Sequence, residues 1–294
     1  MSTTQKSQTP SKARPVTAPE IQARKNGQKI TCMTAYDYSS GMIVDQAGMD
    51  VVLVGDSLAM VILGHEDTLS VTMDEMIHHT RATSRGVKHA LLVGDMPFMS
   101  YTTVDKAVDN AGRFISEGRA KAVKLEGGVS VAPQIKAIVD AGIPVMGHVG
   151  LTPQHVARFG GFKAQGKSAE AARALVEDAQ AVEEAGAFAV VLEAIPVEVA
   201  ELITKAVNIP TIGIGAGNVT DGQILVYHDV LGLFDRFTPK FVRQYAELGK
   251  TSTEALSTYC TNVQQGHFPG DKNTIYMSDD QVGQIRKIKI KKKK

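Results

Sequence analysis

The chain has 294 residues, room for one large domain or two small ones, and α/β barrels of roughly 250 residues fold as single domains. A hydrophobic content of 43% with 21% charged residues suits a globular chain, and no apolar run approaches the roughly 18 residues that cross a bilayer. The net charge of +1 hides an uneven split: seven bases and no acid fall within Gln284–Lys294, leaving 25 bases against 31 acids, a net of −6, in the rest. That acidic remainder argues against nucleic acid as a partner.

The first segment, Met1–Lys12, is polar and lacks the apolar core of a secretory signal. Lys6, Lys12, Arg14, Arg24 and Lys25 against the single acid Glu20 leave a short organellar presequence as the alternative to a cytoplasmic protein. Cys32 and Cys260 are far apart and fit no disulfide framework, so reduced thiols are expected. Residues 1–15 read as disordered, residues 16–277 as one domain, and residues 278–294 as a basic disordered tail.

Eight apolar β-type runs follow in order: Lys29–Ala35, Val51–Ser57, Ala90–Pro97, Ala122–Gly128, Ile143–Leu151, Ala187–Pro196, Ile209–Gly217 and Gln223–Leu231. Ala-rich helical stretches such as Val104–Glu117, Pro133–Ala141 and Ala169–Ala185 separate them, and Asp140-Ala141-Gly142 and Glu184-Ala185-Gly186 end helices at glycine. Parallel strands need such crossover helices, so the pattern predicts an α/β fold, a closed (β/α)8 TIM barrel. An open doubly wound sheet is the rival, but the first strand ends Thr34-Ala35-Tyr36-Asp37 with no Gly-rich dinucleotide loop. Two further C-terminal helices are predicted over Pro239–Leu248 and Thr253–Gln265.

Four of the runs end on a carboxylate: Asp56, Asp95, Glu126 and Glu193. An unpaired carboxylate is costly to bury, and in a barrel the strand C-termini converge on one face. Asp56, Asp95 and Glu126 together, without a Cys or His cluster, form an all-oxygen set that suits Mg²⁺. The plainer alternative is that each acid caps a helix or pairs with a lysine. Lys124 lies two residues before Glu126, on the same side of the strand, where it pairs with Glu126 or meets an anionic substrate. Glu193 closes a strongly apolar run, where partial desolvation favours general-base work. His148, at the end of the fifth run, is readable equally as catalytic or as structural. Gly213–Gly217 has the look of a phosphate turn, and Gly160–Gly166 that of a lid over the same face.

Thr34–Asp37, Val54–Leu58, Gly94–Phe98, Val123–Gly128, Gly147–Gln154, Leu192–Pro196 and Gly213–Gly222, in this order, resemble the ketopantoate (3-methyl-2-oxobutanoate) hydroxymethyltransferase family over about residues 16–270. The resemblance implies a (β/α)8 enzyme of pantothenate synthesis. It would move a hydroxymethyl group from 5,10-methylenetetrahydrofolate to 3-methyl-2-oxobutanoate and assemble as a homo-oligomer, often a decamer. It implies Asp56 and Asp95 as Mg²⁺ ligands with Glu126 assisting, Ser57 and Lys124 as holders of the oxo-acid carboxylate, and Glu193 as proton acceptor. Ala59, Ser70 and the Pro269–Thr274 segment depart from the pattern, away from those positions. A Mg²⁺-dependent 2-oxo acid lyase or mutase on the same scaffold is the alternative, although the Cys that follows a Lys-Lys pair in such enzymes is missing. A non-catalytic metabolite-binding barrel is the second rival.

Overall fold

The computed structural model describes residues 14–159, 161 and 163–288. Eight parallel strands close into a barrel in sequence order, β1 (Ile30–Thr34), β2 (Val51–Val54), β3 (Leu91–Asp95), β4 (Ala122–Lys124), β5 (Val145–Gly150), β6 (Ala189–Glu193), β7 (Thr211–Ile214) and β8 (Gly222–Leu225), with β8 pairing back onto β1. The crossover helices include α1 (Tyr38–Gln46), α2 (Met73–Gly86), α3 (Val104–Ser116), α4 (Ala132–Asp140), α5 (Ala169–Glu184) and α6 (Val197–Ala206). Asp37, Thr72, Thr103 and Ser168 cap α1, α2, α3 and α5, accepting hydrogen bonds from first-turn backbone N–H groups that would otherwise be orphaned.

Side-chain alternation along each strand builds two separate cores. One parity, with Val52, Val54, Leu92, Val123, Val190 and Leu192, faces the helices and packs on residues such as Phe114 and Val182. The other parity, with Ile30, Cys32, Val51, Leu53, Leu91, Val93, Ala122 and Val191, fills the barrel. Ala18 and Ile21, from the short helix Ala18–Gln22, join this inner set and plug its lower end. Gly94 shows how tightly the outer layer sits: a Cβ there would lie 2.3 Å from the Phe114 ring.

Two sequence expectations need correction. The last run, Gln223–Leu231, is strand only to Leu225 and then turns into α7 (Tyr227–Val230), because the Tyr227 N–H leaves the sheet to donate to Thr34 Oγ1 at 2.9 Å. Pro239–Leu248 is not a helix. The Val242 N–H closes one turn on Pro239 O, the Tyr245 N–H donates to Val230 O, and the Phe241 ring seats on Gly215, where a Cβ would lie 2.7 Å from it. These tertiary anchors hold the segment extended across the barrel end. The chain divides into two compact units, Met1–Tyr245 and Ala246–Lys294. The second unit carries α8 (Leu248–Gln264) and a short helix over Asp279–Ile285, within the stretch that composition reads as a disordered tail. Asp279 and Asp280 stand in the first turn of that helix, where the macrodipole favours negative charge.

Candidate active site

The inward parity that is aliphatic below becomes ionisable at the strand C-termini: Asp95 on β3, Lys124 on β4, His148 on β5 and Glu193 on β6. Asp95 and Lys124 are register partners on neighbouring strands, and Lys124 Nζ donates to Asp95 Oδ1 at 2.7 Å. Glu126 keeps the same side of β4 and lies 3.7 Å from Lys124 Nζ through Oε1. Asp56 follows β2, its N–H donating to Asp95 Oδ2 at 3.2 Å. Ser57, one residue on, exchanges a hydrogen bond with the buried Tyr36 hydroxyl at 2.9 Å. The five expected residues Asp56, Ser57, Asp95, Lys124 and Glu126 thus line one cavity together with His148 and Glu193.

Charge balance decides how these groups titrate. Burial pushes the Asp56 carboxyl well above the usual carboxylate range, and the charges of Asp95 and Glu126 push it further. Burial also raises Asp95, against the pull of Lys124. Burial opposes the Lys124 charge, but three surrounding carboxylates outweigh it and hold the ammonium protonated. One lysine therefore faces three carboxylates within the barrel mouth. That crowding favours a proton or another cation on the Asp pair.

Glu126 is drawn away from the Asp pair. Its Oε2 accepts from the Gln154 backbone N–H at 3.1 Å, and its Oε1 faces His148 Nδ1 at 3.4 Å. Burial would raise Glu126, but His148, Lys124 and that N–H more than reverse it. His148 Nε2 in turn lies 3.2 Å from Glu193 Oε2. Neither His148 contact has the angle of a hydrogen bond, so both are charge–charge contacts. Burial and Lys124 disfavour the imidazolium, but Glu126 and Glu193 overcome both and raise His148 to about 9. A cationic imidazole bridging two carboxylates follows at neutral pH. Among the described residues no three His, Cys, Asp or Glu side chains converge as a ready-made metal cage. Asp56 and Asp95 are instead an open pair of oxygen donors at the barrel mouth.

Gln154 is the residue that sequence reasoning missed. It is buried, its Nε2 donates to Asp56 Oδ2 at 3.0 Å and to Met96 O at 2.9 Å, and its Oε1 accepts from the Tyr101 hydroxyl at 2.5 Å. It braces the β2 carboxylate against the loops after β3 and β5. Its only sequence trace is its place six residues after His148 in a motif already singled out.

The cavity has a volume of about 660 Å³. Its floor is formed by Leu53, Val191 and Ile224 of the inner core, and its outer wall by Phe234, Phe237, Pro239 and Phe241. Gly215 and Gly217 have φ of +65° and +76°, but Phe241 and Val197 pack against them, so the turn after β7 is filled by hydrocarbon and offers no open phosphate cradle. Of the predicted lid, Gly160 and Phe162 lie outside the described residues, while Ala164 lines the cavity. His65 contributes its carbonyl, which accepts from Arg236, and His79 bonds to Tyr36 O, so neither histidine ring reaches the cavity wall.

A parallel eight-stranded barrel whose C-terminal mouth holds buried acids, a lysine and a His–Glu pair around one cavity defines a (β/α)8-barrel enzyme. Residues 15–271 match the model of the ketopantoate hydroxymethyltransferase family, and the chain belongs to that family. Among curated relatives, 3-methyl-2-oxobutanoate hydroxymethyltransferase of Syntrophobacter fumaroxidans is 58% identical over 94% of this chain and 99% of its own. That of Clostridium botulinum is 60% identical over 89% and 96%. The chain is accordingly a hydroxymethyl-group transferase of pantothenate synthesis. Solved structures share the fold at low identity. A phosphonopyruvate hydrolase in complex with oxalate and Mg²⁺ aligns at a TM-score of 0.58 with 14% identity, covering 92% of this chain and 98% of that one. A 2,3-dimethylmalate lyase aligns at 0.56 with 15% identity, covering 92% and 97%.

Proposed function

We propose that this chain transfers a hydroxymethyl group from 5,10-methylenetetrahydrofolate to C3 of 3-methyl-2-oxobutanoate, giving 2-dehydropantoate with water supplying the hydroxyl. The observation that carries this reading is the lining of the cavity. Asp56, Asp95, Ser57 and Lys124 line it from the ends of β2, β3 and β4, and Glu193, backed by His148, lines it from β6, over the apolar Leu53, Val191 and Ile224.

Lys124 and the Ser57 hydroxyl bind the carboxylate of the oxo acid, the lysine as a fixed charge and the serine as a donor oriented by Tyr36. Asp56 and Asp95 are the residues that would hold Mg²⁺, and the charge of Asp95 beside Asp56 supports this, because it raises a proton affinity that a cation in the pair would suppress. When bound, the metal would supply a Lewis acid for the oxo-acid oxygens, a reading supported by the fold neighbour in complex with oxalate and Mg²⁺. Glu193 takes the C3 proton, and the protonated His148 beside it steadies the ionised carboxylate before the transfer. The Leu53, Val191 and Ile224 floor excludes water from the carbanionic face. Water hydrolyses the methylene bridge of the folate, both C–N bonds breaking with protons passing to the two nitrogens, and the carbanionic C3 adds to the formaldehyde so released, whose oxygen takes a proton to become the hydroxyl.

Glu126, committed to Gln154 and His148, serves as a support rather than a direct ligand in this reading. We place the protein in the cytoplasm as a homo-oligomer, supported by Leu256, Tyr259 and Val263, which α8 leaves exposed. Deuterium exchange at C3 of 3-methyl-2-oxobutanoate tests the core of the proposal. Exchange that requires Mg²⁺, with turnover that requires the folate, is the expected result. Metal-dependent turnover of an oxo acid without folate would favour a lyase or mutase.

A further inference from the structure

Asp229 stands apart from the groups used above. It sits in α7, directly after β8, is 8% exposed and lines the cavity from the side of the aromatic wall. Among the described residues no side chain or backbone N–H hydrogen-bonds its carboxylate, and no cation pairs with it. Burial alone pushes it up to about 6. A carboxylate that is 8% exposed, lines the cavity and has no protein partner is open to donors brought by a ligand. Around it the wall is built from Phe234, Phe237 and Phe241, with Phe237 51% and Phe241 42% exposed. Arg236 fixes this wall by donating to Gly64 O at 2.8 Å and His65 O at 2.9 Å, tying the segment across to the loop after β2. A cavity of about 660 Å³ is on the scale of a drug-sized ligand and far exceeds a small branched oxo acid.

We propose that Asp229 and the Phe234–Phe241 wall form the subsite for the pteridine ring of the folate. The 2-amino-4-oxopyrimidine edge would present its N3–H and 2-amino hydrogens side by side to the two Asp229 oxygens, while the ring lies against the phenyl groups. Exposed Lys240, on the same wall, offers a cation to the glutamyl carboxylates of the folate tail. This assignment rests on the reading that a reduced folate is the carbon donor.

The test titrates 5-formyltetrahydrofolate, a stable reduced folate, and its 2-desamino analogue into the full-length protein by calorimetry. Asp229→Asn should raise the dissociation constant of the parent folate by about 10- to 100-fold, the scale of losing a charge-assisted pair of hydrogen bonds. Deleting the 2-amino group should weaken binding to the wild type by a similar factor and change the Asp229→Asn variant little. Equal affinity of the wild type for the two folates overturns the assignment, whatever the variant does. Equal folate affinity of wild type and Asp229→Asn overturns it too, and either result leaves the folate reading standing. Failure of the wild type to bind any reduced folate, with C3 exchange intact, removes the folate reading and this subsite together.

Discussion

The two ends of the barrel interior are built on the same inward strand positions, yet they do opposite work. At the lower end Ile30, Val51, Leu91 and Ala122 interlock above the Ile21 plug in one apolar cluster. Two to four residues further along the same parity, β3 and β4 present Asp95 and Lys124, and β5 and β6 present His148 and Glu193 at their upper ends. The lower end contributes burial free energy, on the order of 25 cal/mol per Å² of apolar surface. The upper end gives up that stabilisation, since its acids are buried beside one another and Asp56 resists ionisation. The contrast teaches that the alternation of a single strand can carry a packing core and an active site in series. What separates them is the distance along the strand.

If that division holds, damage at the upper end should destroy chemistry and spare the fold. The largest effect is expected for Asp95→Ala or Asp56→Ala, which should abolish turnover and calorimetrically detected Mg²⁺ binding while the circular dichroism spectrum stays native. Near-normal turnover in either purified variant would remove the metal-pair reading. Next comes Glu193→Gln, which keeps shape and removes the base. Exchange at C3 should fall by roughly 10²- to 10⁴-fold with substrate affinity preserved, the usual worth of a positioned general base. Exchange at the normal rate would shift the base to another group, with His148 first in line.

Damage at the lower end should do the reverse. Leu91 is 1% exposed within the inner core. Leu91→Ala should lower unfolding stability by about 2–5 kcal/mol, read from the urea midpoint, and leave the C3 exchange rate per folded molecule unchanged. A slowed exchange rate in that variant would mean that the two ends are mechanically coupled.

The sequence made this architecture readable where physics is local. Short apolar runs ending at glycine or acid announce strands whatever packs on them, and each of the eight runs overlaps one strand of the barrel, the eighth missing only Gly222. The four strand-end carboxylates were legible for the same reason. The error over Pro239–Leu248 has a specific cause. Phe241 and Tyr245 are four residues apart and imitate a helical stripe, but Phe241 is spent on Gly215, a partner that only the closed barrel brings near. Gln154 and Asp229 were illegible on similar grounds. Gln154 meets Asp56 across 98 positions of sequence, and Asp229 gains its meaning from an aromatic wall folded over it. Neither relation leaves a local period or spacing behind.

The smallest and most specific test concerns His148, where the two ends share one group: it is as buried as the lower core yet charged like the upper site. Its folded value near 9 lies above the ordinary 6.5, because Glu126 and Glu193 outweigh burial and Lys124. A group raised in the folded state contributes stability that is complete below the unfolded value and is lost as pH climbs through the folded one. Between pH 6.5 and about 9 the native protein should therefore hold one proton more than the unfolded chain at this position. The linkage slope then runs downward, at most about 1.4 kcal/mol per pH unit. Unfolding free energies of wild type and His148→Gln, measured by urea at pH 6, 7.5 and 9, isolate this contribution as the pH-dependent part of their difference. A difference that shrinks as pH rises confirms an imidazolium bridging the two carboxylates. A difference that is flat across the range would mean that His148 is neutral, and that Glu193 faces the substrate without a cation behind it.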